Sequence, residues 1–467
     1  MSSSRRDFLG RTASLAGAAA LPGLFHSLAG RAARGSEPLV TDGFGPLQPV
    51  RDDSSLLPLL ALPDGFRYIS HGWTGTQMTD GNRTPSAHDG MAVIAVEGDL
   101  ITLCRNHEVN DPGRPLADAE HAYDANAPGG CTNLIFDAKR ERFVESWASL
   151  VGTSRNCAGG PTPWGTWLSC EETVRGSDEP DDDDEEGEGD EKKSRFRETH
   201  GWIFEVPAKG VARAEPLKAM GRFVHEAIAV DPQTGIVYET EDRGHAGFYR
   251  FLPEKKGELS AGGRLQMMRA KGADDLRSGE KHGASWDVEW VDIEDPERPH
   301  SPDTTDELGV FHQGKEQGAA TFARLEGCWH ADDSIYFVST SGGAAECGQV
   351  WQYLPREEKL TLLFESPGQD VLKMPDNLCA DPRGGLVLCE DSGRVPQRLI
   401  MLTPEGKTFP LAANDIELHG ELGHRGDFRK GEWAGACFSP DGKWLFVNIQ
   451  VPGITCAITG NWGSIGL

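Results

Sequence analysis

The chain lacks the short motifs that mark several common enzyme classes. Its 467 residues contain no nucleophile elbow of an α/β-hydrolase, no phosphate-binding loop and no dinucleotide-binding fingerprint. His107-Glu108 and His225-Glu226 begin like a zincin motif, but neither has the second histidine four positions after the first. Helical periodicity is also scarce, whereas 57 glycines and 29 prolines supply many turns. The sequence therefore favours an all-β fold over an α/β fold.

Positive charge is in short supply. Lys and Arg number 46 against 73 Asp and Glu, and the net charge of −27 argues against nucleic acid or an anionic membrane as a partner. Much of this charge is local, because eleven Asp or Glu and only two Lys lie between Gly176 and Lys193, without the spacing of an EF-hand loop. We expect residues 176–198 to form a disordered acidic insertion, with weak binding of calcium as the alternative.

A long hydrophobic run is missing as well. An apolar, Ala-rich run follows Arg5 and Arg6, but it is too short for a membrane span and is interrupted at Pro22. The pattern is typical of a twin-arginine signal, so we predict a signal peptide at 1–34 and recognition by the twin-arginine export machinery. We expect a periplasmic or secreted protein without stable membrane insertion. Residues 35–467 suffice for one large all-β domain, expected to be a monomer.

One stretch organises the rest of the chain. Residues 156–172 spell N-C-A-G-G-P-T-P-W-G-T-W-L-S-C-E-E, in which P-T-P-W-G supplies the turn between two short strands. Such a β-hairpin returns both of its ends to the same edge of a sheet. It therefore brings the thiol of Cys157 close to the carboxylates of Glu171 and Glu172, and this combination could hold a metal cluster.

The same pattern recurs along the chain. Polar residues begin and end further hairpins with turns such as D-P-Q-T-G, D-P-R-G-G and S-P-D-G-K, which gives six copies at intervals of roughly fifty to a hundred residues. A plain propeller blade takes only about 40 to 50 residues. The repeat therefore predicts a six-bladed β-propeller with long loop insertions.

A propeller brings the starts of its innermost strands together near the axis. We expect a first ring of side chains there, made of Asp89, Cys157, Glu226, Glu326 and Asn377, with the neighbouring Asp376 as a further candidate ligand. The hairpin ends form a second ring, made of Glu108, Glu171, Glu172, Glu390 and Asp391. Carboxylates crowded in this way repel one another unless cations neutralise them, so the two rings predict a metal site.

Ten cysteines in a protein predicted to be exported suggest disulfides, but their placement argues otherwise. Most recur at two fixed places of the repeat: Cys328, Cys379 and Cys437 in the inner strand, and Cys104, Cys170 and Cys389 in the returning strand. Thiols that repeat in this way are expected to be free and to pack as small apolar groups. Cys157 is the exception, because it stands where other copies have Glu or Asn.

Several of these stretches also carry a resemblance to a known family. They are residues 156–172, the motifs G-R-F-V-H-E, F-A-R-L-E-G and M-P-D-N-L, and the C-terminal F-S-P-D-G-K-W-L-F-V-N-I-Q-V-P-G-I-T-C-A-I-T-G-N-W. From about His88 to Trp462 the sequence resembles the PhoX-type alkaline phosphatases. The resemblance implies a propeller with a cluster of ferric and calcium ions (Fe3+ and Ca2+) that hydrolyses phosphate-ester small molecules, the phosphate monoesters, outside the cytoplasm.

The resemblance also implies roles for individual residues. Cys157 would bridge two irons, Glu226, Glu326 and one of Glu171 or Glu172 would be further ligands, and Arg324 would hold the phosphate. The candidate catalytic residues are therefore Arg324, Cys157 and Glu326. The candidate metal ligands are Cys157, Glu171, Glu172, Glu226, Glu326, Glu108, Asp376, Asn377, Glu390 and Asp391.

The residue types agree with such a site. Calcium prefers Asp, Glu and Asn oxygens, ferric iron accepts carboxylate together with thiolate, and an arginine fork matches phosphate. Two alternatives stay open: a secreted propeller that binds a ligand or partner with purely structural calcium, and a calcium-dependent hydrolase of the lactonase type. Neither needs a thiolate or an anion-binding arginine at the channel, so Cys157 and Arg324 favour the phosphatase.

Overall fold

The structure is a computed structural model that describes residues 39–110, 112–179 and 195–464. The predicted signal peptide lies outside these residues. Within them the fold consists of 29 strands and one α-helix, α1 (Gly309–Glu316), which confirms the predicted all-β fold. No helix of the described ranges is long and apolar enough to cross a membrane.

The strands form six repeats after a short N-terminal part, which contains β1 (Leu39–Val40), β2 (Gln48–Arg51), β3 (Pro58–Leu62) and β4 (Arg67–His71). Repeat 1 is built from β5 (His88–Glu97), β6 (Leu100–His107), β7 (Gly129–Asp137) and β8 (Arg142–Thr153). Repeat 2 has β9 (Asn156–Pro161), β10 (Thr166–Glu171) and β11 (Ile203–Pro207). Repeat 3 has β12 (His225–Val230), β13 (Val237–Glu241), β14 (Phe248–Pro253), β15 (Gly263–Ala270) and β16 (Ser285–Asp292).

The second half of the chain continues the series. Repeat 4 contains β17 (Leu325–Ala331), β18 (Ser334–Ser339), β19 (Gln349–Leu354) and β20 (Lys359–Glu365). Repeat 5 contains β21 (Pro375–Ala380), β22 (Leu386–Glu390), β23 (Arg398–Leu402) and β24 (Lys407–Asn414). A small hairpin of β25 (Glu417–His419) and β26 (Arg425–Asp427) leads to repeat 6, which contains β27 (Trp433–Phe438), β28 (Leu445–Ile449) and β29 (Ile454–Thr459).

The first strand of every repeat is the innermost one. Strands β5, β9, β12, β17, β21 and β27 each pack against the next, and β27 packs against β5, so they enclose a central channel. The other strands follow outward in antiparallel order, as in a β-propeller. The blade count stays a prediction, because repeats 3 and 4 share one nine-stranded sheet through the pairing of β16 with β20.

The N-terminal strands close the ring. β4 pairs with β29 and thereby completes the sheet of repeat 6, while β3 pairs with β24 of repeat 5. The core lies between neighbouring repeats, where the ring centroids of Phe136 and Trp444 are 4.9 Å apart and those of Phe248 and Phe337 are 4.2 Å apart. Apolar burial between repeats therefore holds the ring together.

Small residues close the channel below the starts of the inner strands. Gly90, Ala158, Gly327 and Gly435 line a central cavity of about 20 Å³, room for about one water molecule. A Cβ on Gly90 would lie 2.5 Å from the Cα of Ala158, and a Cβ on Gly327 would lie 2.7 Å from the carbonyl oxygen of Asp376. The end of the channel where the inner strands begin, called the channel mouth below, is therefore closed from beneath.

The ends of the predicted acidic insertion are ordered. The backbone N–H of Ser177 donates to the carbonyl oxygen of Glu198 at 2.8 Å. Arg222 donates to both carboxylate oxygens of Asp178, at 2.6 and 2.7 Å. These bonds hold the described ends of the predicted insertion in place, and disorder of its remainder stays a prediction. Residues 180–194 lie outside the described ranges.

Candidate metal centre at the channel mouth

A backbone hydrogen bond recurs in every repeat and sets the geometry of the channel mouth. The residue just before each inner strand, here called the entry residue, accepts it through its carbonyl oxygen. The residue just after the returning strand, called the exit residue, donates it through its N–H. The six entry–exit pairs are Ala87–Glu108, Arg155–Glu172, Val224–Asp242, Arg324–Thr340, Met374–Asp391 and Glu432–Gln450.

The second residue of each inner strand, called the ring residue, lies two positions after the entry residue. The ring residues are Asp89, Cys157, Glu226, Glu326, Asp376 and Ala434. In repeats 1 to 5 the first and fourth residues of the inner strand pair with residues two apart on the returning strand, so the register shifts across the ring residue. In repeat 6 the shift begins at the ring residue, between Ala434 and Cys437. A bulge changes the direction of nearby side chains, which allows the ring residues to gather at the mouth.

Ring, entry and exit residues form three groups of metal-binding side chains. The groups are Cys157, Glu172 and Glu226; Glu226, Glu326 and Asp376; and Asp89, Glu108 and Glu432. Within each group the three ligand atoms lie within 4.8 Å of one another. Glu226 belongs to two groups, so the side chains of repeats 2 to 5 form one continuous cluster.

The carboxylates of this cluster are held together against their mutual repulsion. Burial, followed by the charges of Asp376, Glu172 and Asp89, raises the pKa of Glu226 well above its usual range. Burial and the charge of Asp391 raise the pKa of Asp376 to about 8. Buried acids this close favour protonation or a bound cation, and bound cations would restore the charged forms.

Cys157 is one of ten cysteines that are all buried and free, including the six expected to pack as free thiols. Its Sγ atom donates weakly to the carbonyl oxygens of His225 and Glu226, at 3.4 and 3.7 Å. Burial and the charges of Glu226 and Glu172 raise the pKa of its thiol. The thiolate therefore requires a nearby cation, which a metal ion between Cys157 and these two glutamates would supply.

Two arginines border the cluster. Arg324 donates to Asp242 through Nε and Nη2, both at 2.8 Å, and to Glu326 through Nη2 at 2.7 Å. The Nε atom of Arg155 lies 3.0 Å from Oε1 of Glu108 and 3.1 Å from Oε2 of Glu172. The guanidinium groups of Arg155 in repeat 2 and Arg324 in repeat 4 thus place positive charge at the mouth.

Most of the predicted ligands meet at the mouth. The structure brings together Cys157, Glu108, Glu172, Glu226, Glu326 and Asp376. Burial and, after it, the charge of Asp391 raise the pKa of Asp376, and the same charge adds to the effect of burial on the pKa of Glu108. Asp391 therefore lies within electrostatic reach of both carboxylates.

Three predicted ligands have other partners. Glu171 accepts hydrogen bonds from the backbone N–H groups of Ser154, Gly201 and Trp202. Glu390 accepts from the Arg398 guanidinium and from the backbone N–H of Lys373. Asn377 accepts from the N–H of Gly435 at 2.7 Å, and Asp376 takes the ring position instead. Protein donors therefore occupy these side chains, and we leave them out of the proposed ligand set.

Two residues of the mouth were not predicted as site residues. Glu432 completes the group with Asp89 and Glu108, and Arg155 binds Glu108 and Glu172. Both are entry residues, so the signal that could have found them is their distance of two positions before a ring residue.

The channel of this propeller ends in clustered carboxylates and a thiol. Fold and site together therefore define the class: a β-propeller protein with a candidate metal centre on its axis. The family model of alkaline phosphatase PhoX matches residues 42–453, and the chain therefore belongs to the PhoX alkaline phosphatase family. This membership makes it a metal-dependent phosphoric monoester hydrolase.

Two solved structures illustrate the comparison with known proteins. Pseudomonas fluorescens PhoX in complex with vanadate, a transition state analogue, is 16% identical, with a TM-score of 0.61 over 90% of this chain and 98% of that chain. A gluconolactonase from Xanthomonas campestris is 14% identical, with a TM-score of 0.39 over 89% and 98% of the two chains. A comparison with curated protein sequences finds no match. The likeness to the Pseudomonas protein confirms the predicted propeller fold.

Proposed function

We propose that this chain hydrolyses phosphate monoesters at the channel mouth with ferric iron and calcium bound to its ring, entry and exit residues. The main support for this proposal is that Glu226 belongs to two of the three ligand groups. A carboxylate shared between two groups, with a thiol in one of them, suits several cations bound side by side. Each cation would offset the repulsion between the buried acids.

The three donor sets fit two kinds of ion. Cys157, Glu172 and Glu226 combine a thiol with carboxylates, which suits ferric iron. Asp89, Glu108 and Glu432 offer oxygen atoms alone, which suits calcium. The set of Glu226, Glu326 and Asp376 also offers only oxygen atoms and adjoins the thiol set through Glu226.

When bound, these ions would neutralise phosphate oxygens and activate an oxygen nucleophile. The chain's own residues would orient the ester. Asp242 and Glu326 fix the guanidinium of Arg324, and among the described residues no hydrogen bond uses its Nη1 atom. Nη1 is therefore available for a phosphate oxygen. The small residues beneath the mouth restrict the ester to one face of the propeller.

We also propose that the protein is exported by the twin-arginine pathway and works in the periplasm or outside the cell. Ten free, buried cysteines support folding in a reducing compartment before export. We also propose that it acts as a monomer.

Elemental analysis of protein purified without chelator, together with hydrolysis of an aryl phosphate, tests the proposal. We expect iron and calcium in the protein, loss of hydrolysis on calcium chelation, and recovery when calcium is returned. Full activity in protein free of both metals would contradict the assignment of the ions. Metal-loaded protein without hydrolysis would contradict the assignment of the reaction.

A further inference from the structure

Arg155 holds the same place in repeat 2 that Arg324 holds in repeat 4. Both are entry residues with left-handed backbone, at φ values of 49° and 44°. Ala87 and Met374 share this conformation, so four of the six entry residues adopt it. Only repeats 2 and 4 place a guanidinium there. The two side chains are similarly exposed, at 41% and 35%.

The two arginines flank repeat 3, which contributes Glu226. Arg155 contacts Glu172, which shares a ligand group with Glu226, and Arg324 contacts Glu326, which shares the other group with Glu226. A phosphate bound over Glu226 and its cations would therefore have one arginine on each side.

The terminal nitrogens of Arg155 are available. Its shortest contacts to Glu108 and Glu172 both run from Nε. Within the described part of the chain, no hydrogen bond is made by its Nη1 or Nη2 atoms. Arg324 differs, because Asp242 and Glu326 already occupy its Nε and Nη2. A guanidinium with two open nitrogens can bind two oxygens of a phosphate at once.

We propose that Arg155 is a second phosphate-binding residue, which holds two oxygens of the substrate phosphoryl group and of product phosphate through Nη1 and Nη2. This inference rests on the proposed function. The alternative is that Arg155 only balances the charges of Glu108 and Glu172. Lysine separates the two roles, because it keeps the positive charge but lacks the planar fork.

The test measures binding of inorganic phosphate by calorimetry, and KM and kcat for an aryl phosphate, at matched iron and calcium content. The variants are Arg155→Lys, Arg324→Lys and their combination. The control is Arg383→Lys, in the turn between β21 and β22, where Arg383 pairs with Asp381. We expect Arg155→Lys to weaken phosphate binding and raise KM by roughly ten- to hundredfold, with metal content and melting temperature near those of the parent. The control should bind phosphate as the parent does.

Unchanged phosphate affinity in Arg155→Lys would overturn this inference, whether or not metal content fell. If the parent hydrolyses aryl phosphate in that case, the proposed function still stands. A parent that binds phosphate through Arg155 without hydrolysing any monoester would overturn the proposed function and leave the phosphate site standing.

Discussion

The Nδ1 atom of His200 lies 2.6 Å from the Oε1 atom of Glu171, and both side chains are fully buried. The Nε2 atom of His200 lies 3.4 Å from Asp124. Glu171 thus belongs to a polar network behind the hairpin, whereas the next residue, Glu172, belongs to the ligand group of Cys157. The two adjacent glutamates therefore have different roles: Glu171 is part of a buried polar network, and Glu172 is a candidate metal ligand.

Substitutions at the two glutamates should affect different properties, metal content in one case and stability in the other. Glu172→Gln removes a charged ligand and should lower iron content and hydrolysis with little change in the fold. Glu171→Gln breaks a buried ion pair and should lower the free energy of unfolding by about 3 to 5 kcal/mol, while protein that remains folded keeps its iron. Urea unfolding and elemental analysis of both variants check this. Iron lost from Glu171→Gln alone would reverse the assignment.

Stability should depend on the protonation of His200. Burial is the largest influence and would lower its pKa, but Glu171 and Asp124 outweigh burial and raise the pKa to about 9. Because this value exceeds the unfolded value of about 6.5, the stabilisation is full below pH 6.5 and is lost as the pH rises through 9. We expect the stability difference between the parent and His200→Gln to shrink by on the order of 3 kcal/mol over this range.

The check is urea unfolding of both proteins at several pH values with saturating metal. Titrating groups remote from His200 are common to the two proteins, so their contributions cancel in the difference. A difference that stays constant from neutral pH to above pH 9 would show that His200 carries no charge in the folded protein.

Cys157 and Cys379 are both buried, but only Cys157 lies in a ligand group. Cys157→Ser should fold normally and lose most of its iron, because a hydroxyl is a much poorer ligand than a thiolate. Cys379→Ser should keep its iron and lose about 1 to 3 kcal/mol of stability, because it buries a hydroxyl among apolar groups. Elemental analysis beside thermal unfolding distinguishes them, and equal iron content in Cys157→Ser and the parent would count against the cluster.

Glu432→Gln tests the all-oxygen group at Asp89 and Glu108. One carboxylate charge fewer should raise the calcium concentration needed for half-maximal activity by roughly tenfold. Iron content should not change, because Glu432 lies outside the thiol group. Glu417→Gln is the matched control, since Glu417 in β25 pairs with Arg429, which follows β26. Equal calcium titrations for the two variants would remove Glu432 from the site.

Gly327→Ala should disturb the site from beneath. Its new Cβ would lie 2.7 Å from the carbonyl oxygen of Asp376 and 2.8 Å from the backbone nitrogen of Leu378, so β21 has to move. We expect a loss of about 1 to 3 kcal/mol of stability and weaker metal binding. Gly368→Ala, where a Cβ meets nothing within 4 Å, should leave both quantities near those of the parent. Similar results for the two variants would mean that the inner strands tolerate separation.

The fold was predictable because the chemistry of the hairpin recurs. Each repeat combines turn residues in the middle with polar residues at both ends, and residues 156–172 show this most completely. A propeller is the architecture in which such ends meet on one axis, so the cluster followed from the repeat. The confirmed strands β9 and β10 lie where the sequence placed them, at Asn156–Pro161 and Thr166–Glu171.

It was harder to predict which of two neighbouring polar residues takes the ring position. In a regular strand, alternate residues face the same side, but the register of β21 shifts between Pro375 and Leu378. Sequence therefore could not decide between Asp376 and Asn377 for the ring. Entry residues were harder still to predict, because the six of them share a position in the repeat but no common side-chain chemistry. Glu432 was therefore not predicted as a site residue.

Pairing of β4 with β29 joins strands that lie almost 400 residues apart in the sequence. The ring cannot close around its axis until β29 has left the ribosome. Glu432 joins Asp89 and Glu108 only at that stage, so no shorter nascent chain offers that complete group of three side chains. Cys157, Glu172 and Glu226 of the thiol group have all been made once β12 of repeat 3 is synthesised. On the proposed assignment of the ions, the calcium group is therefore completed later in synthesis than the thiol group.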